Sequence, residues 1–354
     1  MKGLRIAIVG WAESVHVQRW ARGLAGRGFE IKVISLGGKP IEDVETTIIP
    51  RTGRLSYLTE ASKATAAIRD FKPDLVHAHY ATGNGWWGLK SDLQPLVISV
   101  WGADVMDFPS NFLKRAMVKR ILNGADHITA TSQLLKKVTL ELLPSANGKT
   151  TVIPFGVELP GEIRQMPKSD RVRVCFVKAL TAKYGPDILI KAFAKAVKVV
   201  PELELSIAGQ GEMLPSLQAL VDDLSMAERI TFVGQLPYER VMQFISEHDF
   251  MVMPSTMASE SFGVAVLEAG ACGRTVIASE IGGVPEVSIN NETGLLTPPG
   301  DINQLADAIT RLASDRQLCE RLGRNNYKFV KQKYKWESSL DMMSELYQKL
   351  VRSE

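Results

Sequence analysis

The chain has 354 residues, of which 45% are hydrophobic and 23% charged, and its formal net charge is +3. This length predicts about two domains, and the composition is that of a folded globular protein rather than a disordered one. No apolar run reaches the roughly 18–20 residues of a membrane span, and no cleavage site of small residues follows the apolar N-terminus. The spacing of the three cysteines indicates neither a metal site nor a disulfide framework, so a cytoplasmic location is expected.

The charge is unevenly distributed along the chain. Residues 1–160 contain 20 Lys and Arg against 14 Asp and Glu, whereas the remainder has 22 against 25. This asymmetry suggests an anionic partner for the first half. It is too weak to indicate nucleic acid, and no nucleic-acid motif accompanies it.

The first half alternates short apolar runs with helical patterns, the arrangement of a parallel sheet covered on both faces. The first run, LRIAIV, is interpreted as a buried strand. The predicted strands are 4–9, 30–35, 74–79, 95–100, 126–131 and 150–154, and the predicted helices are 14–27, 57–70, 110–123 and 132–143.

A linker rich in Pro and Gly over 154–170 separates this half from a second alternating half. The second set of predicted strands is 171–177, 203–209, 229–234, 249–254, 275–279 and 294–298, and one long helix is predicted over most of 327–350. We therefore predict the α/β class, with two doubly wound, Rossmann-like domains over 1–158 and 159–332 and a C-terminal helix, 333–354, packing back on the first. Ligands of such sheets bind beyond the carboxyl ends of the strands, which predicts a site in a cleft between the domains.

The segment SESFGVAVLEAG, residues 259–270, follows a predicted strand and opens a helix near Phe262 and Gly263. Backbone N–H groups at a helix N-terminus bind anions, and a glycine lets a phosphate approach closely. Glu260 and Glu268 lie on either side of this position, and carboxylates accept strong hydrogen bonds from sugar hydroxyls. The pattern suits a sugar nucleotide. The alternative is that both glutamates are solvated surface residues.

Two further glycine-bearing turns follow strands of the same domain. Gly209 and Gly211 lie in IAGQGEM, and SEIGGVPEV places Pro285 and Glu286 in the first turn of a helix. Three such turns at strand ends favour a nucleotide cleft over isolated surface features.

These residues resemble the donor domain of retaining, family 4 glycosyltransferases of the GT-B fold, the glycosyl transferases group 1. The resemblance rests on the E-x7-E spacing of Glu260 and Glu268 and covers nearly the whole chain, most specifically the second half. The matching segments are ESFGVAVLEAGACGRTVIASEIGGVPEV, FVGQLPYERV, NETGLLTPPGD and VIPFGVE.

The resemblance implies a role for each residue of this segment. Glu268 would bind the donor's ribose and Glu260 the transferred sugar, and backbone groups would cradle the diphosphate. The cradle residues are Ser261, Phe262, Gly263 and Val264, with Gly209 and Val233 as further donor contacts. The family works mostly without a metal, so the resemblance implies that no cofactor is required beyond the nucleotide-sugar substrate.

A basic pair neutralises the leaving diphosphate in this family, usually an Arg and, five residues on, a Lys. KALTAKYG offers Lys178 and Lys183 at that spacing, and we favour Lys183 as the main contact. The chain departs from the family pattern in one respect. In the family a glycine directly follows the lysine, whereas here Gly185 comes one place later, after Tyr184. If the family's glycine is aligned with Gly185, the arginine position falls on Ala179 and the lysine position on Tyr184.

In the first half, the loop after the first strand carries Gly10, and His16 stands in the following helical turn, where it either touches a ligand or caps the helix. His77 and His79 are interpreted as facing opposite sides of a strand, with His79 nearer the site and His77 in the core.

Where relatives have His-Gly, this chain has Trp101 followed by Gly102. The indole cannot act as a base, so it either stacks on a sugar or packs structurally. Asp104 is the candidate contact for an acceptor hydroxyl and is placed with Lys178, Lys183 and Glu260 in the catalytic set.

The basic segment NFLKRAMVKRIL, residues 111–122, is interpreted as a solvated amphipathic helix, with peripheral contact to the anionic inner face of a membrane as the alternative.

The resemblance implies a hexosyltransferase that moves a sugar with retention from a UDP-sugar to a saccharide or lipid-linked acceptor in cell-surface glycan biosynthesis. The alternatives are a sugar-nucleotide epimerase of similar architecture and a non-catalytic nucleotide-sugar-binding subunit. The sequence leaves open the sugar, the base, the acceptor and the oligomeric state.

Overall fold

The computed structural model describes residues 3–163, 165–166 and 169–352. The chain divides into two compact units. Unit 1 extends to Pro154 and includes the chain from Glu337 onward, and unit 2 spans Phe155–Trp336. Within the described residues, no helix is both long and apolar enough to cross a membrane.

Unit 1 is built on a seven-stranded parallel sheet of order β3-β2-β1-β4-β5-β6-β7. The register places Ile8 of the first strand beside Val33 and His77. Strand order reverses between β1 and β4, which is where open α/β sheets bind ligands. The strands are β1 Arg5–Val9, β2 Glu30–Leu36, β3 Glu45–Ile49, β4 Leu75–His79, β5 Leu96–Val100, β6 His127–Ala130 and β7 Thr150–Val152.

Helices follow most of these strands and bury one apolar stripe each against the sheet. In α1, for example, the buried positions are Val17, Trp20, Ala21 and Leu24, which recur at helical spacing. The helices are α1 Val15–Gly26, α2 Ser56–Thr59, α3 Ala61–Phe71, α4 Gly83–Lys90, α5 Ala103–Met106, α6 Phe112–Asn123 and α7 Gln133–Leu142, with a 3₁₀ helix at Pro144–Lys149.

Unit 2 has a six-stranded parallel sheet of order β10-β9-β8-β11-β12-β13. The predicted α/β class with two doubly wound parallel sheets is therefore confirmed. The strands are β8 Val172–Val177, β9 Leu203–Ala208, β10 Ile230–Gly234, β11 Phe250–Met253, β12 Thr275–Ser279 and β13 Gly294–Thr297. The helices are α8 Pro186–Val197, α9 Leu214–Asp223, α10 Tyr238–Ser246, α11 Val264–Ala271, α12 Val284–Val287, α13 Ile302–Ser314 and α14 Arg316–Lys333, followed by the C-terminal α15 Trp336–Arg352.

The single long helix predicted over 327–350 is wrong, because the chain leaves the helix between α14 and α15. Val157 donates its N–H to the carbonyl of Tyr334 (2.8 Å) and accepts the N–H of Trp336 (3.0 Å). The Tyr334 hydroxyl also donates to the carbonyl of Glu286 at 2.9 Å. These bonds replace helical ones and interrupt a pattern that is otherwise continuous in sequence.

β3, α4, the short helix α5 and the 3₁₀ helix of unit 1 lie outside the predicted elements. β3 is an edge strand whose sequence, ETTII, is too polar to give a buried-strand pattern. α4 reads GNGWWGLK and has poor helix propensity. A Cβ at Gly85 or Gly88 would lie 2.7 Å from Ile121 or 2.9 Å from Leu96, so close packing of the helix requires glycines there.

α15 is attached to the sheet of unit 1 by a buried polar network. The Tyr347 hydroxyl contacts His77 Nδ1, and His77 Nε2 lies 2.7 Å from Ser99 Oγ, which is 2.6 Å from Thr129 Oγ1. Burial holds the pKa of His77 well below its ordinary value, with an additional contribution from His79. The histidine is therefore a neutral core residue. At the surface, Arg27 forms an ion pair with Asp341 of α15.

Substituting Tyr347 with phenylalanine is expected to lower the free energy of unfolding of unit 1 by about 1–3 kcal/mol, because a buried His77 nitrogen loses its partner. Urea denaturation measures this. Tyr327→Phe removes a hydroxyl from a half-buried ring and should leave the transition unchanged. An equal transition for Tyr347→Phe and the wild type would contradict the role of the network.

Candidate active site

The segment 259–263 forms a buried loop between β11 and α11. Glu260, Ser261 and Phe262 are at most 9% exposed. Gly263 has φ +90°, a left-handed conformation that suits glycine and directs the chain into the helix. The first N–H groups of a helix have no carbonyl in a preceding turn to bond, so the N-terminus of α11 points donors at the loop where an anion can bind. Val266 N–H, at the end of the first turn, donates to the Gly263 carbonyl at 2.9 Å.

Lys178 and Lys183 both lie at this loop. Lys178 Nζ is 3.4 Å from Glu260 Oε2, and Lys183 Nζ donates to the Ser259 carbonyl at 3.0 Å. Both ammonium groups also contact the ring of Tyr184, at 4.9 and 5.6 Å from its centroid. The structure thus gathers the two lysines and one glutamate of the predicted site.

Lys178 keeps its charge in this environment. Its side chain is 18% exposed, and that of Glu260 is 8% exposed. Burial would lower the pKa of Lys178, but Glu260, Tyr184 and Glu268 outweigh burial, so the pKa is raised above its ordinary value. A cation with this environment can stabilise the charge of a phosphate.

Gly185 has a backbone role at the turn that precedes α8. It has φ +62° and stands at the start of α8, directly before Pro186. A Cβ there would lie 2.3 Å from the carbonyl of Pro254, so the turn must approach that strand end closely. The five-residue spacing, rather than the glycine, therefore identifies the lysines that lie beside the loop.

A pocket of about 250 Å³ opens beside Lys178 at the carboxyl ends of β8, β9 and β10. Gly209, with φ +152°, allows the ends of β8 and β9 to approach closely, because a Cβ there would lie 2.0 Å from the carbonyl oxygen of Lys178. The lining residues are Val177, Lys178, Ala179, Ala208, Gly209, Gln210, Gln235, Leu236 and Val241.

Val233 does not line this pocket, and its role as a donor contact stays a prediction. It lies on the edge strand β10 and is 41% exposed. Gln235 and Leu236, two and three residues later, line the pocket instead. The segment FVGQLPYERV correctly indicated the carboxyl end of β10. The alternation of side chains along a strand does not show which residues of the following loop face the pocket.

The Gly282-Gly283 turn packs against the loop formed by residues 259–263. Gly283 donates its N–H to the Glu260 carbonyl at 2.9 Å. A Cβ at Gly282 would lie 2.1 Å from the Glu260 carbonyl oxygen, and one at Gly283 would lie 2.0 Å from that of Ser261. The turn was predicted as part of a nucleotide cleft, and these contacts instead give it the role of shaping the loop.

Glu268 lies within α11 and is 6% exposed. All helix positions from Ala265 to Ala271 are buried, so a surface position for this glutamate is wrong. Its charge contributes to the raised pKa of Lys178, which links it electrostatically to the lysine.

In unit 1, four predicted residues meet at the carboxyl ends of β1, β4 and β5. The Trp101 ring lies 4.9 Å from that of His79 and 5.8 Å from that of His16. A Cβ at Gly10 would lie 3.6 Å from the Cβ of His79. Tyr80 also contacts Trp101, at 5.8 Å. The indole is therefore held by three rings.

His79 is 1% exposed, and neither ring nitrogen has a hydrogen-bond partner among the residues described here. Burial, followed by the nearby His16, lowers the pKa of His79 to about 3. It is neutral at physiological pH. The expectation that His77 and His79 face opposite sides is wrong, since residues two apart on a strand share a face, and their rings lie 4.4 Å apart.

Asp104 organises the backbone around Trp101. It is fully buried, and its carboxylate accepts the N–H groups of Ala81 (2.8 Å), Trp101 (3.1 Å) and Gly102 (2.9 Å). Burial raises its pKa, although these hydrogen bonds act in the opposite direction. The predicted contact with an acceptor hydroxyl is not favoured by this geometry, which gives Asp104 a positioning role.

Comparison with known families identifies both halves of the chain. Residues 162–329 match the family described as "Glycosyl transferases group 1", and residues 5–132 match "Glycosyl transferase 4-like". The chain is a glycosyltransferase whose second half matches the group 1 family. This confirms the family that the sequence resembles and the assignment of the chain as an enzyme of hexosyltransferase type.

Similar proteins support the glycosyltransferase assignment over most of the chain. An uncharacterised glycosyltransferase of Methanocaldococcus jannaschii is 29% identical over 84% of this chain and 81% of its own length. N-acetyl-alpha-D-glucosaminyl L-malate synthase of Bacillus anthracis is 26% identical over 84% and 80%. The structure of sucrose-phosphate synthase from Thermosynechococcus elongatus has a TM-score of 0.86 at 25% identity, covering 99% of this glycosyltransferase and 100% of that chain. The predicted GT-B fold is thereby confirmed.

Proposed function

We propose that this glycosyltransferase moves a sugar from a nucleotide-diphosphate donor, expected to be a UDP-sugar, to a saccharide or lipid-linked acceptor with retention of configuration. One observation carries the proposal: Lys178, Lys183 and Glu260 meet at the N-terminus of α11, beside the pocket at the ends of β8, β9 and β10. This arrangement offers positive charge for a diphosphate next to a recess for a nucleoside.

Each part of the donor has a matching group in unit 2. The base would occupy the pocket that Gly209 and Gln235 line. The ribose hydroxyls would donate to Glu268, and the hydroxyls of the transferred sugar to Glu260. The diphosphate would lie against the first N–H groups of α11, with the two lysines alongside.

Catalysis would depend mainly on stabilising the leaving group. The bond between the sugar's anomeric carbon and the diphosphate oxygen breaks, and negative charge grows on that oxygen. Lys183, Lys178 and the N–H groups of α11 stabilise this charge, and a preorganised donor of this type contributes about 2.7–4 kcal/mol. The acceptor hydroxyl forms the new bond on the same face and transfers its proton to the departing phosphate oxygen.

The acceptor would be bound by unit 1 near Gly10, His16, His79 and Trp101. The indole is held in place by His16, His79 and Tyr80, and by backbone bonds to Asp104, so it presents a preformed aromatic surface. Aromatic faces suit the apolar faces of sugar rings. The three free, buried cysteines fit a reducing cytoplasm, where we place the enzyme in cell-surface glycan synthesis.

The proposal is tested by incubating the enzyme with UDP-, GDP- and ADP-sugars, with and without saccharide acceptors, and analysing products by mass spectrometry and NMR. An acceptor-dependent glycoside with the donor's anomeric configuration is expected. Conversion of the donor to an epimer without acceptor would support an epimerase instead. Nucleotide binding with no turnover of any donor would support a non-catalytic subunit.

A further inference from the structure

The N-terminal end of α6 projects from unit 1. Residues 111–116 are all exposed, and the two most exposed large apolar side chains given for the described residues lie here, Phe112 at 81% and Leu113 at 78%. The Asn111 side chain accepts the N–H of Lys114 at 3.0 Å and caps the helix. The next turns are anchored by buried Val118. Phe112 and Leu113 are thus presented on a capped, anchored helix.

Four cationic residues follow these two side chains on α6. Lys114, Arg115 and Arg120 are exposed and Lys119 is half-buried, and no ion pair is formed by any of the four with another described residue. Between residues 105 and 125 the sequence has a single acidic residue. We call Phe112, Leu113, Lys114, Arg115, Lys119 and Arg120 the α6 patch.

A second exposed segment of similar chemistry lies on a neighbouring helix. Leu55 is 66% exposed and Leu58 is 51% exposed, and Arg51 and Arg54 beside them are exposed as well. This segment includes α2, which packs against α4, and α4 in turn packs against α6. Exposed apolar side chains accompanied by arginines therefore occur on two helices of one unit that share a packing partner.

We propose that the α6 patch binds the surface of an anionic lipid bilayer. Phe112 and Leu113 would insert at the boundary between headgroups and acyl chains, while Lys114, Arg115, Lys119 and Arg120 contact anionic headgroups. Apolar insertion combined with basic contacts is how interfacial helices bind membranes. A nucleic acid would account for the charges alone, but not for the two exposed apolar side chains. A patch that serves an acidic protein partner instead would leave the chain unbound to lipid vesicles, which the test below distinguishes. The inference does not depend on which sugar or nucleotide the enzyme uses.

The test is co-sedimentation of the full chain with vesicles of phosphatidylcholine, with or without phosphatidylglycerol. The wild type is expected to bind the anionic vesicles preferentially and to dissociate at high salt. The double substitution Phe112→Ser, Leu113→Ser should lower the partition coefficient by at least about tenfold, since the apolar contribution is lost. The pair Lys114→Glu, Arg115→Glu should abolish the preference for anionic lipid.

Val199→Ser is the matched control, because Val199 is 66% exposed but lies in unit 2. It should bind as the wild type does, and circular dichroism should show all variants folded. Equal binding of the wild type to neutral and anionic vesicles, or no binding, would overturn the proposal. So would undiminished binding by the Phe112, Leu113 variant, which would indicate a purely electrostatic contact with a polyanion.

Discussion

Substituting Lys183 with alanine is expected to lower kcat by about 10²- to 10³-fold, the effect of removing one preorganised donor to a developing negative charge. Lys183 Nζ lies at the loop before α11 and donates to the Ser259 carbonyl at 3.0 Å. Because the charge on the diphosphate grows as the sugar leaves, the loss should appear more in kcat than in nucleotide affinity. Steady-state kinetics with the cognate donor measures both.

Lys198→Ala is the control for this substitution, since Lys198 is an exposed lysine of the same unit. Its kinetics should match the wild type. An unchanged kcat for Lys183→Ala would exclude this lysine from leaving-group stabilisation. Because Lys183 also holds the loop, circular dichroism and nucleotide binding should accompany the kinetics, to separate lost charge from a displaced loop.

Substituting Gly283 with alanine is expected to lower kcat/KM by about 10²-fold although residue 283 is placed outside the donor contacts. The new Cβ would lie 2.0 Å from the Ser261 carbonyl oxygen, so the loop bearing Glu260 and Ser261 must shift by about an ångström. A displacement of that size in an active site costs on the order of 10²-fold in rate. Kinetics with the cognate donor checks the prediction.

Gly161→Ala provides the comparison, because a Cβ there would meet no atom within 4 Å. That variant should retain wild-type kinetics. If Gly283→Ala were equally active, the Gly-Gly turn could not be what fixes the position of the loop.

The donor side of the site was largely predictable from sequence because its chemistry is local. Glu260, Gly263 and Glu268 lie within nine residues, and Lys178 and Lys183 lie within six of one another at a strand end. Their spacing therefore fixes their relative positions once the strand and helix are recognised. The structure adds the contacts between the two segments, such as the Lys178–Glu260 pair.

The remaining errors concern features that depend on distant partners. α4 is helical because its glycines permit close packing, which propensity does not indicate. The break between α14 and α15 is made by Val157, far away in sequence. A carboxylate at a strand end is often functional, which is why Asp104 is predicted to contact an acceptor. Its buried carboxylate instead accepts the N–H groups of Gly102 and of Ala81, which lies 23 residues earlier in the sequence.

The most direct test of the donor site is calorimetric titration of UDP, GDP and ADP into the wild type and into Glu268→Ala, with Glu292→Ala as an exposed-glutamate control. We predict that one nucleotide, expected to be UDP, binds the wild type and the control equally. Its affinity should fall at least tenfold in Glu268→Ala, equivalent to about 1.4 kcal/mol. No binding of any of the three nucleotides, or equal affinity in Glu268→Ala and the wild type, would contradict a nucleotide site at the N-terminus of α11.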